Sequence, residues 1–418
     1  GISLKGQLLQ AEYSKKRPSF VKLFFVAVLR ILRYRSIAVS KKKVLFIRNS
    51  NKYHFKSLIS PVHEMFYTES DLIVHSDKSF NSVRQEQMYY PSTISGFLKS
   101  IYLSWYLGKK ASQKLEEIGF LIPEVEIRFQ LWVSLMGYFG ALNLCQRRKY
   151  KMILMDTDRG NSIAASFCLA ASRLGVKSVT LQHGAIDLVR GYYPLLAEEI
   201  WCWGNFQKNI LTQAGLEDRR IRIKGNPVAR KTDFKNSMTN VMGFGLSGGH
   251  VIDKEKDIIF WLLEQDELKG FDLIIKTKPS QKVLPWMEGV PRLKVYKTGE
   301  ELSANDDFFQ QIDLLIITMS SIGPEAIASG VPLWVYEMSI IDPRLDKLFV
   351  RTGLFPNISE PLLLSKEAVS LKERGTEYLK QLWLTQNNFI MNDYYCAVED
   401  RAVENICESI EQEIRDSN

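Results

Sequence analysis

Apolar residues along this chain fall into short uninterrupted runs separated by longer stretches with helical spacing, and the two kinds alternate regularly. Residues 42–48 (KKVLFIR), bounded by Asn49, Ser50 and Asn51, predict a first strand. A second strand is expected at 71–75. Residues 93–147 carry aromatics and leucines at helical spacing and predict two or three helices, one of them over 124–144. The pattern then sharpens: strand 152–155, helix 162–174 stopped by Gly175, strand 178–181, strand 200–203, helix 206–215 and strand 221–223. Such alternation argues for a parallel, doubly wound α/β sheet.

Gly225-Asn226-Pro227 breaks the series, residues 229–240 are polar and basic, and alternation then resumes. Strands are expected at 241–246, 272–277, 293–296, 314–318 and 333–336, with helices at 253–265 and 324–329. The tail over 366–416 reads as helical and charged, and neither a solenoid repeat nor a low-complexity tract appears. The expected division is a basic segment at 1–41, α/β domains at 42–226 and 227–375, and C-terminal helices at 376–418 that pack back across the domains.

Within the second series, 313–337 is the most informative stretch. A strand apolar on both faces (314–317) runs into Ser320, Ser321 and Gly323, then a short helix with Pro324 and Glu325 in its first turn, a stop at Gly330, and another strand. Free N–H groups at such a helix start favour an anion, and a self-capped helix without ligand fits the same pattern.

Composition narrows the class. With 418 residues, 45% hydrophobic and 24% charged, the chain can build two or three packed domains. The net charge of +8 is concentrated early: residues 1–50 hold twelve Lys or Arg against the single acid Glu12. Within 16–39, Lys22, Arg30, Arg33 and Arg35 interrupt an aromatic and aliphatic run. That pattern suits a basic amphipathic helix on an anionic membrane surface, and equally a helix packed on the first domain. No window reaches the roughly 20 apolar residues of a membrane span, and no nucleic-acid reader motif accompanies the charge. Five scattered cysteines read as small buried residues of a reducing cytoplasm, and with only five histidines no zinc site or other metal is expected. Gly1 in place of Met is expected of a processed or trimmed chain.

Candidate chemistry collects where strands end. In the second domain the strand-end loops are Ser247-Gly248-Gly249-His250, then Lys276-Thr277-Lys278-Pro279-Ser280, then the Ser320-Ser321 turn. Together they suit an anionic, nucleotide-bearing ligand, as expected outside the carboxyl ends of strands in open α/β sheets. In the first domain, Asp156-Thr157-Asp158-Arg159-Gly160-Asn161-Ser162 follows a buried strand, and Gln182-His183-Gly184-Ala185 follows the next. One carboxylate can cap the following helix; two are more than a cap needs. His183 or Asp158 could act as general base toward an acceptor hydroxyl, with Asp156 as the companion carboxylate. His54, His63 and His75 read as structural or surface residues. A Ser-His-Asp elbow, a Walker loop, a His-Glu-x-x-His run and a full dinucleotide fingerprint are all missing, which disfavours hydrolase, NTPase and metalloprotease readings.

In these blocks the chain resembles GT-B glycosyltransferases of bacterial surface glycans such as capsule and lipopolysaccharide. The carrying segments are DTDRGNSIAASFCLAASRLGVKSVTLQHGAID, EEIWCWGNFQKNILTQAG, IKGNP, LIIKTKPS and TMSSIGPEAIASGVPLWVYE. The resemblance implies two Rossmann-like doubly wound domains with a deep cleft between them. It also implies a nucleotide-sugar substrate on the C-terminal domain, a glycan or lipid-linked acceptor on the N-terminal one, and neither cofactor nor metal. Ser247, Gly248, Gly249, Lys276, Lys278, Ser320, Ser321 and Glu325 would bind the donor. Arg159, Asn161, Gln182 and Gly184 would meet the acceptor, at the inner membrane face or in the cytoplasm. CMP-sugar transferases pair a Lys-Pro-His-Pro-like element with a later Ser-Ser pair. Here Lys278 stands where their histidine would, and CDP-glycerol phosphotransferases share a related C-terminal layout. Sugar-nucleotide epimerases and non-catalytic nucleotide-sugar binders share the two-domain architecture.

Overall fold

The computed structural model describes residues 42–48, 53–74, 93–158, 162–184, 186, 192–247, 251–277, 283–296, 303–318, 320, 322–337 and 348–416. Among them are two wholly parallel sheets. The first has the order β2-β1-β3-β4-β5-β6, from β1 (Val44–Arg48), β2 (Ser70–Val74), β3 (Met152–Met155), β4 (Lys177–Leu181), β5 (Glu199–Cys202) and β6 (Ile221–Ile223). The second has the order β11-β10-β7-β8-β9, from β7 (Val241–Gly245), β8 (Asp272–Lys276), β9 (Leu293–Tyr296), β10 (Leu314–Ile317) and β11 (Leu333–Val335). Each sheet grows in one direction from its first strand and then reverses, so the strand order switches between β1 and β3 and again between β7 and β10. Two doubly wound α/β halves result, as the strand and helix pattern predicts.

The strands read as apolar runs because both faces are covered. Val44 and Phe46 of β1 join Met152 and Leu154 in one cluster, and Leu45 and Ile47 join Ile153 and Met155 in the cluster behind. Helices α3 (Glu124–Arg148) and α4 (Ser162–Leu174) cover the second of these faces, and α1 (Tyr53–Met65) covers the first. Complete burial of each Val, Leu, Ile or Phe side chain contributes about 1.5–3 kcal/mol. α2 (Ile94–Glu117) lies outside α3, and α5 (Asn205–Gln213) precedes β6. In the second half, α6 (Ile252–Glu264) packs with Met242, Phe244 and Ile275. α7 (Ser303–Gln310) and α8 (Ile322–Ala328) pack with Leu315 and Ile317 on the opposite face.

The tail is helical but not one helix. α9 (Pro361–Phe389) kinks at Gly375 (φ 50°, ψ −124°), a π-helical turn follows at Ile390–Tyr394, and α10 (Glu399–Asp416) ends the description. α10 packs back on α1 and β3 of the first sheet, with Ile406, Cys407, Ile410 and Ile414 in the cluster of Val44 and Phe46. The link between the halves is clamped by that tail: Asn226 N–H donates to the Ala397 carbonyl at 2.8 Å, and Gly225 sits at φ +90°. A Cβ at Gly225 would lie 2.5 Å from the Ala397 carbonyl oxygen, so the position admits glycine alone.

Two expectations shift. The sequence pattern predicts neither α1, whose Pro61 reads as a breaker, nor the eight-residue, largely polar α7. Cys145, Cys168, Cys202 and Cys407 are buried as expected, whereas Cys396 is exposed beside the π-helical turn. No helix among the described residues is long and apolar enough to cross a membrane, and residues 16–39 lie outside the description.

Candidate functional site

Strand pairing brings the loop ends together. In the first sheet Ile47, Met155, Thr180 and Ile200 stand in one row, so Asp156 leaves β3 beside the end of β1, at the switch in strand order. Asp156 N–H donates to the Ile47 carbonyl at 3.3 Å. On the adjacent strand, Gln182 and His183 leave β4. The His183 ring is hydrogen-bonded to the Asp156 backbone and feels the charge of Asp158, so the three candidate catalytic residues form one cluster. Burial pulls the imidazole below its ordinary 6.5, and the Asp156 bond and Asp158 charge only partly oppose this. His183 is therefore neutral at pH 7, the form in which a histidine can accept a proton.

The two carboxyls divide their work. Asp158 Oδ2 accepts the N–H groups of Leu196 and Ala197 at 2.5 and 3.0 Å, which ties down the loop leading into β5. Asp158 thus caps a distant loop, and its charge reaches His183 from there. Gln182, almost fully buried, accepts Trp203 N–H at 3.0 Å and donates to the Gly184 carbonyl at 2.9 Å. Its amide is held within the scaffold and orients the His183 backbone. A Cβ at Gly184 would meet only the Tyr192 hydroxyl, at 3.8 Å, so among the described atoms sterics do not demand glycine there.

Tyr192 is a site residue that sequence reading missed. Its buried hydroxyl accepts the N–H groups of His183 and Gly184 at 3.2 and 3.0 Å and lies 3.5 Å from His183 Nδ1. The signal available in sequence was weak: one of two adjacent tyrosines before a proline.

In the second sheet Ile317, Gly245, Lys276 and Tyr296 stand in one row. Ser247, Lys276 and Ser320 consequently leave neighbouring strands at one edge, with Ser247 and Ser320 flanking the switch between β7 and β10. Gly245 makes room for this convergence, since a Cβ there would come within 3.0 Å of Ile322 and 3.6 Å of the Ser320 Cβ. Lys276 is buried, which lowers its ammonium to about 8 despite the opposing influence of Glu325. Glu325 accepts from Asn305 Nδ2 at 2.9 Å, and burial raises its carboxyl to about 7 even with Lys276 nearby. Near neutral pH this edge holds a cation and a carboxyl that is only partly ionised, a balance that leaves room for an incoming anion.

A second missed residue underlies the same edge. Glu255, fully buried on α6, accepts Ser247 N–H at 2.9 Å and the Thr318 hydroxyl at 2.6 Å. Thr318 has a single proton and gives it to Glu255, so in the 3.1 Å contact between the two hydroxyls Ser247 is the donor. Glu255 thereby staples the ends of β7 and β10 across the switch in strand order. In sequence it is one acid in a charged helix, indistinguishable from its exposed neighbours.

Arg159, Asn161, Gly248, Gly249, Lys278 and Ser321 lie outside the described residues. Among the described residues no group of three or more His, Cys, Asp or Glu side chains could hold a metal ion.

No family model matches this sequence, and no curated protein matches it either. Solved structures do resemble it. A putative UDP-N-acetylglucosamine 2-epimerase from Listeria monocytogenes matches with TM-score 0.54 at 12% identity, covering 91% of this chain and 98% of that one. MnaA from S. aureus, in a co-structure with UDP, matches with TM-score 0.55 at 13% identity, covering 90% and 97%. The wall teichoic acid polymerase TagF, soaked with CDPG, matches with TM-score 0.51 at 11% identity, covering 100% and 99%. At such identities the likeness speaks for architecture, and together with the two parallel, doubly wound sheets it gives the chain a fold of the GT-B type.

Proposed function

We propose that this protein is a glycosyltransferase that moves a sugar from a nucleotide-sugar donor, CMP-linked sugars among the candidates, to a growing bacterial surface glycan or lipid-linked acceptor. The observation that carries the reading is a neutral histidine, hydrogen-bonded to the Asp156 backbone and within reach of the Asp158 charge, at the carboxyl edge of one sheet, combined with a buried lysine at the corresponding edge of the other. The resembling structures add support, since MnaA is in a co-structure with UDP and TagF was soaked with CDPG.

In this reading the donor phosphate is held by Gly248, Gly249, Lys276, Lys278, Ser320 and Ser321, with Ser247 anchoring the loop and Glu325 moderating the charge of Lys276. His183 takes the proton of the acceptor hydroxyl as its oxygen bonds to the anomeric carbon. The anomeric carbon to phosphate oxygen bond breaks, and the departing nucleotide keeps the electron pair beside Lys276. Arg159, Asn161 and Gly184 contact the acceptor, and the nucleotide sugar enters as substrate with no separate cofactor.

The deciding experiment incubates the protein with UDP-, CMP-, CDP- and GDP-linked sugars and with CDP-glycerol, with and without a glycan acceptor. Nucleotide release from a sugar donor that requires acceptor is the expected result. Isomerised donor formed without acceptor would assign an epimerase instead, and consumption of CDP-glycerol a phosphotransferase. Thermal stabilisation by a nucleotide with no turnover of any donor would leave a binding protein and overturn the reading.

The lysine carries its own prediction. With its ammonium near 8, Lys276 is mostly charged at pH 7 and mostly neutral at pH 9, so affinity for UDP should fall about tenfold over that interval. Calorimetric titration at both pH values measures it, and Lys276→Met should flatten the dependence.

A further inference from the structure

Trp203 belongs to one half of the molecule by sequence and to the other by packing. It follows β5 of the first sheet, yet its buried side chain lies in the cluster of Leu315 and Ile317 from β10 and Ile327 from α8. The first half holds it by hydrogen bonds. Its backbone N–H donates to Gln182 Oε1 and its indole N–H to the Gln182 carbonyl, both at 3.0 Å. Gln182 Nε2 extends the constraint to the Gly184 carbonyl at 2.9 Å, so the turn that carries His183 is gripped on both sides of the histidine. Gln182 and Trp203 are both buried, and water does not replace a bond lost between them.

The second half holds Trp203 through the tail. Tyr394 ends the π-helical turn, a distortion found frequently at functional sites, and Tyr395 follows it. The Tyr395 ring meets Trp203 edge-on with centroids 5.6 Å apart, and Tyr394 lies 6.3 Å from it at a tilt. Beside Trp203 the backbones touch, since a Cβ at Gly204 would lie 2.5 Å from the Tyr394 carbonyl oxygen. Helix α9, which leads into the turn, is fixed in its turn to α8 and β11. Trp383 donates its indole N–H to the Ile327 carbonyl, and Gln386 both accepts from and donates to the Leu333 backbone, each bond at 2.8 Å. Tyr395 also bonds Asn226 of the link between the halves and feels the charge of Glu325. A continuous run of buried contacts therefore leads from α8 and β11 through the tail and Trp203 to His183. Close-packed rings deform little, so a shift of the π-helical turn carries Trp203 with it.

We propose that Trp203 is a positioning residue: seated against Tyr395 in the core of the second half, it sets the placement of the His183 turn and holds that histidine in register with the Lys276 edge. The inference rests on the transfer reading only in giving His183 a proton to take; the mechanical link stands without it.

The test is amide hydrogen exchange of the full chain without ligand, followed at His183 and Gly184. In Trp203→Phe the ring stays against Tyr395 but the Gln182 carbonyl loses its donor, and exchange at both amides should rise at least tenfold. Tyr395→Leu leaves every bond between Trp203 and Gln182 in place and should still raise it at least fivefold. Tyr395→Phe, which restores the ring, should return it to within about twofold of the unsubstituted protein. Amides of β7 and β8 should change by no more than about twofold in all three variants, which separates the effect from general loosening. Where transfer is measured, Trp203→Phe should lower turnover at least tenfold with nucleotide affinity within about twofold. Unchanged exchange at His183 and Gly184 in Tyr395→Leu would overturn the proposal and leave Trp203 a core residue, as would an equal rise in β7 and β8. Absence of transfer by the unsubstituted protein would strike the transfer reading alone, because the exchange measurement needs no substrate.

Discussion

Replacing His183 with asparagine should lower transfer about 10³-fold while leaving donor affinity within about twofold, measured as turnover and as calorimetric binding of the nucleotide. Asparagine can retain a hydrogen bond to the Asp156 backbone and occupies similar space, but it cannot accept a proton from a hydroxyl at neutral pH. The direction of the histidine's shift also sets the pH profile. Burial lowers its pKa, so the neutral base persists at pH 7 and is lost only as pH falls through a value below 6.5. The acid limb of the rate profile should therefore lie below the usual histidine range. Asp158→Asn should move that limb further down, since it removes the charge that raises the imidazole, while the amide oxygen can still accept from Leu196 and Ala197. Full activity in His183→Asn would sink this assignment and shift the chemistry to the carboxyls.

Loss of the Glu255 carboxyl is the second large effect expected. In Glu255→Ala the Ser247 N–H and the Thr318 hydroxyl lose a buried acceptor together, at a cost of about 3 kcal/mol in denaturant unfolding. The same change frees the ends of β7 and β10, so nucleotide affinity should drop about tenfold or more. Glu255→Gln keeps one oxygen acceptor for both donors and should lose roughly a third as much stability. Stability lost with affinity unchanged would show that the carboxyl supports the core without shaping the nucleotide edge. The two measurements separate a positioning role from simple destabilisation because the unfolding experiment contains no ligand.

How legible the protein was depends on the range of the interactions concerned. The strands were readable because a parallel strand covered on both faces must be apolar at successive positions, as Leu314, Leu315, Ile316 and Ile317 are. Helix α1 was hidden because Pro61 contradicts it locally, and packing of Leu58, Ile59 and Val62 against β1 outweighs that preference. The strand-end location of Asp156, Asp158, His183, Lys276 and Ser320 followed from the alternation alone. Their division of labour did not.

Asp158 meets its partners 38 and 39 residues away, Thr318 meets Glu255 63 residues away, and Tyr192 reaches back over His183. No periodicity records such pairings. By itself the sequence determined two doubly wound α/β halves and the edges where polar residues collect, because burial of both sheet faces leaves a local signature in every strand. Only the tertiary structure decided which carboxyl ties down a loop, which one staples two strands, and which histidine is held neutral. Hydrogen bonding and desolvation of a buried polar group depend on what the rest of the chain folds over it.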